Sequence, residues 1–192
     1  MKSVSQLPQG YGEILQIDLQ KNKKQAMIVN VLSIAIGAIM VVIAAFFVPL
    51  SSIFDGEPMD ALVKYVAMIM GLIAYLILHE AVHGIAMRHY CRDAKVRFGF
   101  TGMYAYAASE GYYCRRDYTV IGLAPVVVWG LVLAVLNAVV SQPWFYVVYL
   151  IQVGNLSGAA GDLYVTWKMS TLPDDILVRD SGVAMRVFSA KK

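Results

Sequence analysis

Apolar residues form four long runs along the chain, each long enough to cross a lipid bilayer as a helix. The runs cover residues 26–50, 61–87, 118–140 and 144–167. A helix rises about 1.5 Å per residue and needs roughly 20 apolar residues to span the hydrocarbon layer. The pattern therefore predicts a bundle of four transmembrane helices within a single membrane-embedded domain, residues 1–192.

Shorter stretches have the alternating pattern of β-strands. Between the second and third runs, apolar residues recur at even spacing at Val96, Phe98, Phe100, Tyr104 and Tyr106. Such alternation, interrupted by glycines, predicts a β-hairpin. A second, short hairpin is predicted over residues 176–188, and residues 14–19 fit a strand or an interfacial helix equally well. The predicted fold class is an all-α membrane protein with a small hairpin between helices 2 and 3 and a short C-terminal hairpin.

Composition and charge agree with a membrane location. Hydrophobic residues make up 59% of the chain and charged residues 15%, and the net charge is +3. Four Lys or Arg residues precede the first run and six lie in residues 88–116, whereas the short break between the third and fourth runs has none. The positive-inside rule then predicts an integral protein of the cytoplasmic (inner) membrane with both termini in the cytoplasm. Membrane lipids are the expected surroundings, and no nucleic-acid-binding pattern is present.

Three residue types typical of metal sites occur together in the second run, in the sequence His79-Glu80-Ala81-Val82-His83. Positions four apart share a face of a helix, so the two histidines can bind one Zn²⁺. Glu80 can then take a proton from a water molecule, as in zinc metalloproteases. A helix end among polar headgroups is the alternative explanation, but it predicts Lys or Arg here rather than Glu between two His.

Asp162 is the leading candidate for a third zinc ligand. It is the only charged residue in 118–167, and an aspartate inside a span must pair with something. His79 lies 18 residues after Ala61, and Asp162 lies 18 after Trp144. Since both helices start at the same face, both residues should lie at equal depth, about 27 Å down.

The residues around Asp162 support this pairing. Small side chains in 154–161 would let two helices approach closely. Asn155 lies seven residues before Asp162 on the same side of the helix. It is a candidate to hold a substrate backbone or to support a ligand.

Other third ligands stay open. His79–His89 nearly matches the metzincin spacing, with His89 in the third-ligand position, but Ala86 replaces the glycine at which that chain turns. On an unbroken helix, His89 also points away from the face of the other two histidines. Carboxylates of the C-terminal segment could fold back to the metal; they are Asp174, Asp175 and Asp180.

The chain resembles a family of small membrane proteins classed as zincin peptidases. The matching segments are Leu7–Tyr11, the His79-Glu80-x-x-His83 motif, Tyr104–Ser109 and Ser157–Leu163, followed by Pro173 and Asp180. The plan is also similar to that of site-2 proteases, which cut transmembrane substrates with His-Glu-x-x-His on one helix and an Asp on a later one. In those enzymes a membrane-associated β element is thought to receive the substrate. That implies substrate-binding roles for Phe98, Phe100 and Tyr104, together with Asn155.

The sequence therefore predicts a zinc-dependent intramembrane protease acting on membrane proteins or peptides. Its metal ligands would be His79, His83 and Asp162, with Glu80 as the catalytic base. Two other classes remain: a non-catalytic membrane scaffold in which zinc joins two helices, and a small transporter with a His/Glu/Asp proton relay. Glu80 separates the first two, because the scaffold leaves it without a role.

Overall fold

The computed structural model describes residues 2–102, 105–182 and 184–190. The helices are α1 (Lys23–Phe47), α2 (Pro58–Tyr90), α3 (Arg115–Val139), α4 (Phe145–Gly158) and α5 (Ala160–Ser170), with 3-10 turns at Leu50–Phe54 and Gln142–Trp144. The strands are β1 (Gly12–Asp18), β2 (Val96–Phe100), β3 (Ala105–Ser109), β4 (Tyr113–Cys114), β5 (Leu177–Asp180) and β6 (Ala184–Ser189). The described chain is thus mostly helical but has more strand than the all-α prediction allowed.

Three helices, α1, α2 and α3, are long and apolar enough to cross a membrane. They correspond to the first three predicted spans, shifted by a few residues at their ends. Large apolar side chains of α1 point outward rather than into a protein core, among them Phe46 and Phe47, which are 83% and 82% exposed. This exposure is what a lipid-facing helix requires.

The fourth predicted span, residues 144–167, is not a single helix. It is broken at Ala159, between a 14-residue helix α4 and an 11-residue helix α5, so neither part reaches the length of a span. The break lies in the run of small residues, where Gly158 lowers helix propensity. Residues expected to let two helices approach closely therefore end one helix and begin another. The four-helix transmembrane bundle is not confirmed.

Both predicted hairpins are present, and one of them belongs to a larger sheet. β2 pairs with β3 in antiparallel register, from Val96↔Ser109 to Phe100↔Ala105. The C-terminal hairpin β5–β6 forms part of a four-stranded sheet in the order β1-β6-β5-β4. In that sheet the N-terminal strand β1 pairs with β6, from Gly12↔Ser189 to Asp18↔Ala184. The ambiguous segment near the N-terminus is thus a strand.

The chain forms two compact units. Unit 1 consists of Met1–Val29, His79–Pro125 and Gly161–Lys192, and unit 2 of Asn30–Leu78 and Val126–Ala160. That the whole chain is one domain stays a prediction. The core of unit 1 combines the sheet with parts of α2, α3 and α5; its members include Ile17, Met87, Ile121, Val165, Val178 and Val187.

Unit 2 has its own small apolar cluster of helical residues. Tyr75, Leu133 and Ile151 are its buried members. A Cβ added at Gly71 would lie 2.5 Å from Ile151 Cδ1, so α2 and α4 approach each other closely there.

Candidate functional site

The two motif histidines lie on one face of α2, inside unit 1. Their ring centroids are 4.9 Å apart and the rings meet edge to face at 77°. Each residue is only 8% exposed. This geometry follows from the four-residue spacing, because a helix turn of about 3.6 residues places His79 and His83 one above the other.

Asp162 places its carboxylate against both rings. Its Oδ2 lies 3.4 Å from His79 Nε2, and its Oδ1 lies 3.6 Å from His83 Nε2. Asp162 is therefore close to both histidines, as expected, but it lies on a short separate helix rather than on a continuous fourth span. The break at Ala159 puts Asp162 in the first turn of α5, where the helix dipole favours a negative charge.

A hydrogen bond on the far side of the His83 ring determines which ring nitrogen carries the hydrogen in the neutral form. His83 Nδ1 lies 2.9 Å from the carbonyl oxygen of Ile121 in α3. A carbonyl oxygen can only accept, so Nδ1 carries the hydrogen and, in the neutral ring, Nε2 presents a lone pair. In that neutral ring the lone pair faces a carboxylate oxygen, and a proton or a metal ion between the two acceptors would satisfy both.

The donor set fits a zinc ion. Atoms held about 2.0–2.1 Å from a tetrahedral zinc lie about 3.4 Å from one another, close to the two separations between Asp162 and the rings. Both separations exceed the range of about 2.7–3.2 Å for direct N–H···O hydrogen bonds. Two imidazole nitrogens and one carboxylate are also a common ligand set of catalytic zinc.

Glu80 lies beside the two histidines and is half-buried. Ligand atoms of His79, Glu80 and His83 all lie within 4.8 Å of one another. The backbone N–H of Ala107, in β3, interacts with the Glu80 carboxylate as a hydrogen-bond donor. The hairpin therefore contacts the residue that sequence analysis assigns as the base.

The β2–β3 hairpin packs directly on the motif turn of α2. A Cβ added at Gly84 would lie 2.3 Å from Phe98 Cζ and 3.3 Å from Val96 Cγ1, so a larger residue there would displace the Phe98 ring. Phe98 and Phe100 are 60% and 71% exposed. Tyr104, the third predicted substrate contact on this hairpin, lies outside the described residues.

Asn155 lies in unit 2 and its amide is engaged there. The side chain is fully buried, and its Oδ1 accepts a hydrogen bond of 3.1 Å from Tyr75 Oη. Its Nδ2 donates to Val126 O at 3.3 Å and contacts Gln152 Oε1 at 3.4 Å. These bonds tie α4 to α2 and α3, and the predicted substrate role of Asn155 stays a prediction.

The alternative third ligands each have other contacts in the described structure. His89 is exposed at the end of α2, with its ring 5.1 Å from that of Tyr90. Asp174 pairs with Arg115, and Asp175 accepts a hydrogen bond of 2.9 Å from Ser189 Oγ. None of these contacts involves the histidine pair, whereas Asp162 faces both rings.

Asp180, the remaining alternative, is buried in unit 1. It accepts hydrogen bonds of 2.6 Å from Tyr118 Oη and 2.8 Å from the backbone N–H of Gly182. Burial raises the pKa of its carboxyl above the ordinary value despite these two bonds. Sequence reasoning did not find the Tyr118–Asp180 pair. Nor did it find the Ile121 carbonyl, since a backbone acceptor leaves no mark in residue type.

Comparison with known proteins agrees with this chemistry. The family model described as "Putative zincin peptidase" matches residues 72–177, more than half of the chain. The matched segment includes the His-Glu-x-x-His motif and Asp162. No curated protein matches the chain, and no solved structure does. On the extent of the family match, the chain belongs to this zincin peptidase family.

Proposed function

We propose that this protein is a zinc-dependent, membrane-embedded peptidase that cleaves peptide bonds of membrane proteins or peptides. The observation that carries the proposal is the convergence of His79, His83 and Asp162, with the far nitrogen of the His83 ring bonded to the Ile121 carbonyl. The family match supports a metallopeptidase, and three apolar helices support a membrane location.

The residues of the site have complementary tasks in this reaction. His79, His83 and Asp162 would hold the zinc, and Glu80 lies beside the two histidines, where its carboxylate can reach a water molecule. When bound, zinc supplies a Lewis acid that polarises the peptide carbonyl and acidifies the water. Glu80 accepts a proton as the water oxygen attacks the carbonyl carbon, and it delivers that proton to the amine nitrogen as the C–N bond breaks.

The β2–β3 hairpin is the proposed substrate platform. Among the described residues β3 pairs with β2 only, and its Ala107 N–H faces Glu80. A peptide extended along this edge would reach the site through backbone hydrogen bonds, with Phe98 and Phe100 as apolar contacts. A helical substrate has to unwind first, because its carbonyls are closed by their own hydrogen bonds.

Replacement of Glu80 by Gln tests the enzyme against the scaffold. The substitution keeps the size of the side chain but removes the proton acceptor, so zinc content should stay at that of the wild type. Cleavage of a membrane-reconstituted peptide should fall by about 10²–10⁴-fold. The measurement is product formation by mass spectrometry alongside metal analysis of the same preparation.

The outcomes separate the three classes of function. Equal cleavage by wild type and Glu80→Gln would contradict the proposed role of Glu80. Stoichiometric zinc without any turnover in the wild type would favour the scaffold. A wild-type protein that binds no zinc would leave the proton-relay transporter as the better explanation.

A further inference from the structure

A proline inside α3 lies one turn after the residue that contacts His83. Pro125 is fully buried within the continuous helix Arg115–Val139. In an α-helix the N–H of each residue bonds the carbonyl four residues earlier, and proline has no N–H. The carbonyl that loses its usual donor is therefore that of Ile121. In general a proline ring also crowds the carbonyl four residues earlier, which favours tilting that carbonyl away from the helix axis.

The Ile121 carbonyl is the atom that accepts the hydrogen bond from His83 Nδ1, at 2.9 Å. Ile121 is 1% exposed, so water cannot replace the missing helix donor easily. An unsatisfied buried carbonyl destabilises a fold, and the imidazole N–H relieves that cost. The Ile121 carbonyl, which has no helix donor because of Pro125, is thus the acceptor that orients the His83 ring.

The same turn of α3 also approaches the helix that holds Asp162. A Cβ added at Gly122 would lie 3.1 Å from Thr166 Oγ1, four residues after Asp162 in α5. This turn therefore lies against α5 while its carbonyl meets α2. Its backbone geometry influences both helices that provide the metal site.

We propose that Pro125 is a positioning residue of the metal site: it reserves the Ile121 carbonyl for His83. The bond to that carbonyl keeps the hydrogen on Nδ1 and leaves Nε2 directed at the metal and Asp162. The inference rests on the proposed function, because it assigns Pro125 a role toward the proposed zinc. Loss of such a supporting contact costs about 10–100-fold in metal affinity in known sites.

Two variants at position 125 separate the missing donor from the shape of proline. Pro125→Ala restores a backbone N–H that competes with His83 for the Ile121 carbonyl. A variant with lactic acid incorporated at position 125 has the methyl side chain of alanine, but an ester oxygen replaces its backbone N–H. Pro143→Ala is the matched control, since Pro143 lies in the 3-10 turn Gln142–Trp144 of unit 2.

The first readout is zinc affinity of the full-length protein in detergent, measured by competition with a chelator. Pro125→Ala should bind zinc about 10–100-fold more weakly than the wild type. The lactic-acid variant should recover to within about threefold of wild type, and Pro143→Ala should be unchanged, if the missing donor is what matters. Equal weakening in both position-125 variants, or no weakening in Pro125→Ala, would overturn the inference.

The second readout is nitrogen-15 NMR of histidine-labelled protein without zinc. Wild type and the lactic-acid variant should show His83 with its hydrogen on Nδ1 in a hydrogen bond, and Pro125→Ala should lose that signature. This spectrum decides the role of Pro125 even if the wild type binds no zinc, in which case the proposed function fails alone. An unchanged His83 spectrum in Pro125→Ala would reject the inference while leaving the peptidase proposal intact.

Discussion

At the scale of single residues, the site depends on acceptors that face each other. Asp162 presents one oxygen to each ring, and the neutral ring of His83 presents a lone pair because its other nitrogen donates to Ile121. Without a proton or a metal ion between them, acceptors at this distance repel one another. The burial of both histidines strengthens that repulsion, since little water is available to screen it.

Removal of the Asp162 carboxylate should abolish stable zinc binding. We expect Asp162→Ala to lose stoichiometric zinc after dialysis, because two histidines alone leave the ion without the third protein ligand of a catalytic site. The measurement is metal analysis of purified protein. His89→Ala is the control, since His89 is exposed and contacts the ring of Tyr90. Zinc loss in His89→Ala with retention in Asp162→Ala would show that the ligand set is wrong.

At the scale of elements, the motif helix and the β2–β3 hairpin act as one structural piece. The ring of Phe98 occupies the space where a side chain at position 84 would be, and the backbone of Ala107 reaches Glu80. The position of the hairpin therefore depends on Gly84. Any change that separates the two elements should move the proposed substrate edge away from the base.

Addition of a methyl group at position 84 should separate them. We expect Gly84→Ala to destabilise the protein by about 1–3 kcal/mol through overpacking against Phe98, although alanine favours a helix. Thermal unfolding followed by circular dichroism measures this. In a Phe98→Ala background the same substitution should cost much less, because the clashing ring is gone.

Gly130→Ala is the matched control for this substitution. Gly130 also lies inside a helix, α3, but its added Cβ would come no closer than 3.6 Å to Asn155 Nδ2. The control should be neutral or slightly stabilising. Equal destabilisation at positions 84 and 130, or at position 84 with and without Phe98, would contradict the packing explanation.

At the scale of the whole molecule, the proposed metal joins segments that are far apart in sequence. His79 and His83 lie in α2 and Asp162 in α5, and all three belong to unit 1. The core of this unit includes Met87, four residues after His83, and Val165, three residues after Asp162. Metal binding and packing of unit 1 should therefore stabilise each other.

Zinc removal should destabilise unit 1 selectively. Zinc at about 100 times its dissociation constant stabilises the native state by about 2.7 kcal/mol, so a chelator should raise hydrogen exchange in the helices and sheet of unit 1. Exchange in the helical parts of unit 2 should change little. The measurement is hydrogen–deuterium exchange by mass spectrometry with and without chelator. Asp162→Ala should show no chelator effect, and an equal effect in that variant would mean the zinc is bound elsewhere.

Local patterns in the sequence were enough to predict many of the helices and strands. Three of the four predicted spans correspond to α1, α2 and α3, because a long apolar run in lipid has few stable conformations besides a helix. Both predicted hairpins are present, since strand alternation is also a local signal. The family was recognisable from a motif whose spacing is itself a property of the helix.

Other features depended on contacts between distant residues, and only the tertiary structure decided them. The pairing of β1 with β6 joins the two ends of the chain, and no local pattern selects one partner strand among several. The fourth apolar run divides at Ala159, because small residues permit both close helix packing and a helix end.

The candidate site likewise combines residues that the sequence predicted with contacts that only the tertiary structure showed. Residue types alone pointed to His79, Glu80, His83 and Asp162, since ionisable side chains in apolar surroundings need partners. The Ile121 carbonyl, the Ala107 N–H and the Tyr118–Asp180 pair came only from the fold. Backbone donors and acceptors are the same in every residue, so which of them is free, and what it meets, is determined by how the helices and strands pack.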